Sequence, residues 1–141
     1  MVFNLQEGFY LWAILASGAA SMIVGFIWYG PLFGKSWGRY SGWTEEKVKT
    51  VPAKSMALTY GLTLMAAVVS SLALTVLSRS LGASTAMDGL LIGLLAGVGL
   101  VAMALATNFL FERRPLGFWL IVSGYEIVYL AAAGVIVTVW R

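Results

Sequence analysis

Glu126 is the residue best placed to do chemistry. It stands alone near the middle of Pro115 to Trp140, a stretch with no other charged side chain and apolar enough to cross a bilayer as a helix. An ionisable group at the centre of such a helix costs roughly 2.5–3.5 kcal/mol on insertion scales. Partners or water must offset that cost, so every other segment can be searched for what it brings to Glu126. On its own helix, three- and four-residue spacing sets it beside Trp119, Ser123, Tyr129 and Ala133.

Depth can be counted at about 1.5 Å per residue, which puts Glu126 roughly 16 Å inside the end at Pro115. The same count along the neighbouring apolar runs reaches Gly18 to Ser21, Thr63 to Ala67, and Leu100 near Gly97. That layer is small or hydroxylated, as a partnered or hydrated carboxylate requires. Ser17, Ser21, Thr63 and Tyr129 are therefore the candidate lining of a solute- or proton-binding site centred on Glu126. Asn108, with Tyr60 and Trp28, is the candidate approach from the cytoplasm. Three roles are open to Glu126. It binds a proton, a metal ion or an organic cation in a small cavity and exchanges a proton for a solute. Alternatively it is a structural residue joining helices or subunits, or it faces lipid beside a water defect.

Composition says what must position these residues. The chain has 141 residues, 60% of them hydrophobic and 11% charged, with a mean hydropathy of +0.89; that is too apolar for a soluble domain. No Asp, Glu, Lys or Arg occurs from Gly8 to Gly34, from Ser55 to Ser78, or from Gly89 to Phe111. With the run holding Glu126, these predict four transmembrane helices in two hairpins, an all-α polytopic membrane protein. The helices are expected over about 9–29, 53–77, 86–111 and 115–140, in a single domain covering 1–141, with an interfacial loop at 32–51. Met1–Glu7 carries no positive charge and precedes a run too long for a secretory signal, so the first helix is expected to be retained.

Cysteine and histidine are absent, which removes thiol chemistry, disulfides, zinc sites and histidine-ligated haem. No catalytic residue, metal or cofactor is expected. One carboxylate without a second acid or nucleophile argues against an enzyme. The net charge of +3 is no nucleic-acid signal, because Lys and Arg sit where membrane topology places them.

Small residues mark where helices would meet. Ala13, Ser17, Ser21 and Gly25 recur every four residues, and Gly89, Gly93 and Gly97 do the same on a face that continues to Ala104 and Asn108. Gly25, Gly89, Gly93 and Gly97 are the predicted helix-packing residues, and the stripes suggest self-association. Pro31 is expected to stop the first helix after Trp28-Tyr29-Gly30. In the loop, Thr44 would cap a short surface helix with Glu45 and Glu46 at its start and Lys47 and Lys49 at its end. Ser55, Thr59, Thr63 and Ser70 share one face of the second helix. Thr85 and Asp88 resemble a capping box at the start of the third.

Orientation follows from the basic residues. Lys35, Arg39, Lys47, Lys49, Lys54, Arg113 and Arg114 fall on one side, against Arg79 and Arg141 on the other. The positive-inside rule then places both termini on the non-cytoplasmic side of an inner or plasma membrane.

Trp28-Tyr29-Gly30-Pro31-Leu32-Phe33-Gly34-Lys35 followed by Trp37 resembles the signature of a bacterial and fungal membrane family, domain of unknown function 1761. Gly82-Ala83-Ser84-Thr85 with Asp88-Gly89, Thr107-Asn108 with Phe111-Glu112, Arg114-Pro115-Leu116, and Gly124-Tyr125 are similar too. The resemblance covers nearly the whole chain and implies a four-helix membrane protein without an assigned activity or established catalytic residues. The layout is also similar to small multidrug resistance transporters, although those keep their carboxylate on the first helix and show a weak charge bias. The expected function is homo-oligomeric binding or transport of a small cationic or protonatable solute. The alternative is an accessory or scaffold subunit that docks a partner membrane subunit or lipid through its glycine faces.

Overall fold

The computed structural model describes residues 9–140; Met1–Gly8, with the leader read above, and Arg141 lie outside the described residues. Every regular element among them is helical. The order is α1 (Phe9–Ile27), a π-helical turn (Trp28–Leu32), α2 (Gly34–Ser41), α3 (Glu45–Thr50), α4 (Ala53–Ser80), α5 (Ala86–Leu94), a π-helical segment (Leu95–Ala102), α6 (Met103–Phe111) and α7 (Leu116–Val139). Four continuous helical stretches, Leu11–Leu32, Ala53–Ser80, Ala86–Phe111 and Leu116–Val139, are long and apolar enough to cross a membrane. Their outward surface carries side chains such as Phe26, Leu110 and Phe111, each more than three-quarters exposed. Lipid tails suit that surface better than water.

Pro31 does not end the first helix. It lacks the N–H that would bond back one turn, and the chain widens instead, with Phe33 N–H donating to the Trp28 carbonyl at 2.8 Å. The helix so reaches Leu32, and α2 follows at once. Phe33, Trp37 and Tyr40 lie on one side of α2 at helical spacing, and Gly42 closes the helix in the left-handed region (φ +74°). Thr44 caps α3 by accepting the Lys47 N–H. At the other end of the molecule, Thr85 and Asp88 form a complete capping box that starts α5.

The end carrying α2, α3 and the Glu112–Pro115 turn is called here the basic end, and the opposite one the far end. α7 is the central helix, touched by α1, α4, α5 and the π segment. At Gly89 a Cβ would strike the Gly134 carbonyl, at Gly93 it would strike that of Leu130, and at Gly97 it would lie 2.9 Å from Ile127 Cα. Backbone therefore packs on backbone along the α5–α7 seam. Ala13, Ser17 and Ser21 are likewise buried within this one chain. The small-residue stripes are thus consumed inside the bundle and leave no argument for self-association.

The glycine face does not continue to Ala104 and Asn108. The π segment puts more residues into each turn, so the buried positions after Gly97 become Ala102 and Phe109, while Ala104 and Asn108 turn outward. The Trp119 indole N–H holds this register by donating to the Ala102 carbonyl at 3.0 Å.

Helix α4 behaves differently along its length. From Ala67 to Ser78 it buries Ala67, Ser71, Leu74, Thr75 and Ser78. From Ala57 to Ala66 every residue is exposed. A packed helix hides at least one stripe, so this half of α4 is only loosely covered, with Leu64 still reaching α1 at Gly18.

Candidate functional site

Tyr129, Ala133 and Val137 form one stripe of α7 and pack with Ala67 and Leu74 of α4. Glu126 continues that stripe toward the basic end by helical spacing, to where α4 becomes loosely covered. On α4 the buried stripe Ala67, Ser71, Leu74 and Ser78 continues in the same direction to Tyr60, with Thr63 beside it. The pairs Ser71–Tyr129 and Ser78–Thr138 set the register of these parallel helices, so Thr63 lies about one turn, and Tyr60 about two turns, to the basic-end side of Glu126, on the α4 face turned to α7 across a crevice. Tyr60 and Thr63 are exposed and do not close on the carboxylate; the Thr63 hydroxyl donates back to the Thr59 carbonyl at 2.8 Å.

The wall beside Glu126 is aromatic. Tyr29 packs on Tyr125 (ring centroids 5.3 Å apart), Tyr125 stacks on Tyr129 (6.1 Å), and Trp37 of α2 meets Tyr29 edge-on at 5.7 Å. Tyr125 and Tyr129 flank Glu126 on α7, and Tyr29 reaches Tyr125 from the end of α1. Their spacing follows from sequence on α7, where Tyr125 and Tyr129 are one turn apart, while the π turn at Pro31 sets the position of Tyr29. Trp28 is fixed rather than open: its indole N–H donates to the Ile121 carbonyl at 2.9 Å, and its ring fills the space over Gly124. It supports the wall from behind.

Above Glu126 the crevice ends in a buried knot of hydroxyls. Ser71 Oγ and Tyr129 OH both donate to the Ala67 carbonyl, each at 2.8 Å, and Ser17 Oγ lies 2.7 Å from Ser71 Oγ. With the Ser71 proton directed to Ala67, Ser17 is the donor in that pair. Ser21 donates to the Gly18 carbonyl at 2.6 Å, and its own carbonyl accepts the Tyr125 hydroxyl at 3.3 Å. Ser17 and Ser21 are thus satisfied by protein and seal the site rather than line it. Gly25 brings α1 against the Tyr125 ring.

The structure sets Glu126 and Tyr129 on one stripe of α7, places Thr63 and Tyr60 one to two turns nearer the basic end on the facing side of α4, and keeps Asn108 on the outside of α6. Tyr29, Tyr125 and Ser71 were not among the candidates. Tyr29 belongs to the Trp28–Pro31 run, Tyr125 adjoins Glu126, and Ser71 sits at heptad-like spacing between Ala67 and Ser78, so each left a sequence signal. Among the described residues, the Glu126 carboxylate has no hydrogen-bond partner, and no group of three or more His, Cys, Asp and Glu could hold a metal ion. Ser123 Oγ, buried on the side of α7 facing the π segment, is also without a partner. The arrangement offers one negative charge, half-buried, against aromatic rings, with an open side.

Residues 12–138 match the family model described as Protein of unknown function (DUF1761), and the chain belongs to that family. No curated protein and no solved structure matches it.

Proposed function

We propose that this protein binds, and moves across the membrane, a small cationic or protonatable solute with Glu126 as its charge centre. One observation supports this above the others: Glu126 lies on the packing stripe of α7 where α4 becomes loosely covered. A carboxylate kept only to join helices would have a helix against it and hydrogen-bond donors in reach. This one has an open crevice, and its neighbours are rings. The role is binding and translocation rather than catalysis, since the site needs only a bound cation and no nucleophile. The basic end then faces the cytoplasm of an inner or plasma membrane, with both termini outside. Cytoplasmic solute would enter between α4 and α7.

The test compares the parent protein with Glu126→Gln in proteoliposomes that trap a pH-sensitive dye. Addition of tetramethylammonium, which has no neutral form that crosses lipid unaided, should change the internal pH only with the parent protein, while both proteins melt alike. An equal response from both would sink the proposal.

The exposed half of α4 favours a second role, docking of a partner subunit or a second copy along Ala57–Ala66. A stoichiometric partner or a stable oligomer that protects this stretch from a lipid-soluble carbene label would favour that role. Even labelling along it in purified, active protein would count against it.

A further inference from the structure

We infer that the site selects monovalent organic ammonium ions bearing apolar substituents, with Tyr60 as the specificity-determining ring on the α4 wall. This inference rests on the proposed role of Glu126 and narrows its ligand class. Three features lead to it.

The charge comes first. A single carboxylate neutralises one positive charge, and among the described residues nothing supplies the several oxygen ligands that a hard divalent cation requires. Backbone carbonyls nearby are engaged in helices or already accept tyrosine and tryptophan donors.

The rings come second. The Tyr125 and Tyr129 hydroxyls are turned to the Ser21 and Ala67 carbonyls. Tyr125, half-buried, therefore offers its ring to the crevice rather than a hydrogen-bond donor, and Tyr29 packs against it. A cation held against Glu126 comes within about 6 Å of such rings, the range in which the ring quadrupole attracts it. A dehydrated alkylammonium gains from this contact more than a strongly hydrated metal ion does.

The opposite wall comes third. Tyr60, 56% exposed, is the aromatic side chain that α4 carries on the face turned to α7, on the basic-end side of Glu126, and Ala57 and Leu64 flank it at three- and four-residue spacing. Apolar arms on the nitrogen would be covered there, and the open side between α4 and α7 admits such a ligand.

The experiment measures binding to the full chain in nanodiscs by calorimetry, with tetrapropylammonium, propylammonium, K+ and Mg2+ as probes. Tetrapropylammonium should bind saturably, K+ and Mg2+ should not compete at equal concentration, and Glu126→Gln should abolish binding. Tyr60→Ala should weaken tetrapropylammonium by about three- to tenfold and Tyr60→Phe should restore it, because the ring and not the hydroxyl carries the contact. Binding of propylammonium through Glu126 without binding of tetrapropylammonium overturns the ligand class and leaves the role of Glu126 standing. A Tyr60→Ala protein indistinguishable from the parent overturns the assignment of Tyr60. Failure of every cation to bind overturns both the inference and the proposed function.

Discussion

Toward the far end, α7 is enclosed: Gly89 and Gly93 bring α5 onto its backbone, and Leu74 and Ser71 of α4 close over Tyr129, Ala133 and Val137. Toward the basic end the same helix keeps α1, the π segment and α2 but meets only the loosely covered half of α4, and there it carries Glu126. Small residues and short hydroxyls make the first half; large rings and one carboxylate make the second. In the second half, aromatic stacking takes over what close backbone approach does in the first. Tyr40 stacks on Phe118 with centroids 5.8 Å apart, and Arg114, paired with Glu112, lies over both Phe109 and Phe118. The difference separates a half closed by backbone contact from a half braced by rings and open on one side.

The largest break in that contrast should come from Gly93→Leu. A side chain there has to displace the Leu130 carbonyl, which belongs to a central helix and cannot give way. A loss of about 3 kcal/mol or more is expected, enough to leave little folded protein in detergent by size-exclusion and melting assays. A variant that melts with the parent would show that the α5–α7 seam is looser than backbone contact.

Glu126→Leu should act in the opposite direction. No hydrogen bond is lost with the carboxylate, and the unfavourable burial of a charge is removed, so stability should rise by about 2–3 kcal/mol. Equilibrium unfolding in mixed micelles reads the sign. A destabilised Leu variant would place Glu126 among the groups that join helices, and the two halves would then differ only in packing style.

Ser71→Ala tests the boundary between the halves. It leaves Ser17 Oγ without its acceptor and breaks the link from α1 to α4, for an expected loss of about 1–2 kcal/mol. The loss should shrink when Ser17→Ala is added, because both partners of the pair are then gone.

These expectations mark how far sequence reasoning reaches. The four membrane-length helices were legible because charge is excluded from them, and the Thr44 and Thr85 caps because side-chain oxygens precede their helices at fixed spacing. α2 was missed although Phe33, Trp37 and Tyr40 are spaced as a helix stripe; Gly34, Gly38 and Gly42 read as loop. The two π stretches were illegible, since a register change leaves no composition signal, and the second one alone accounts for Asn108 facing outward. The loose cover over one half of α4 was also hidden. Its far half and basic half are both free of charge from Ser55 to Ser78, and only the positions of α1 and α7 decide which half is covered. Glu126 could be found by charge alone, but its open side could not.

The smallest effect is the most direct probe of the open half. Gly61 lies inside the exposed stretch of α4, and a Cβ placed there meets no atom within 4 Å. Alanine favours a helix over glycine by about 0.5–1 kcal/mol, so Gly61→Ala should stabilise by that amount. Gly97→Ala carries the same propensity gain but sets its methyl 2.9 Å from Ile127 Cα, and it should destabilise. The pair thus differs in sign for a reason that propensity cannot supply. If Gly61→Ala also destabilises in the resting protein, this half of α4 rests against another helix there and the crevice is covered. If it stabilises the empty protein yet weakens ammonium binding, α4 closes on Glu126 when a ligand arrives, and the glycine keeps room for that approach.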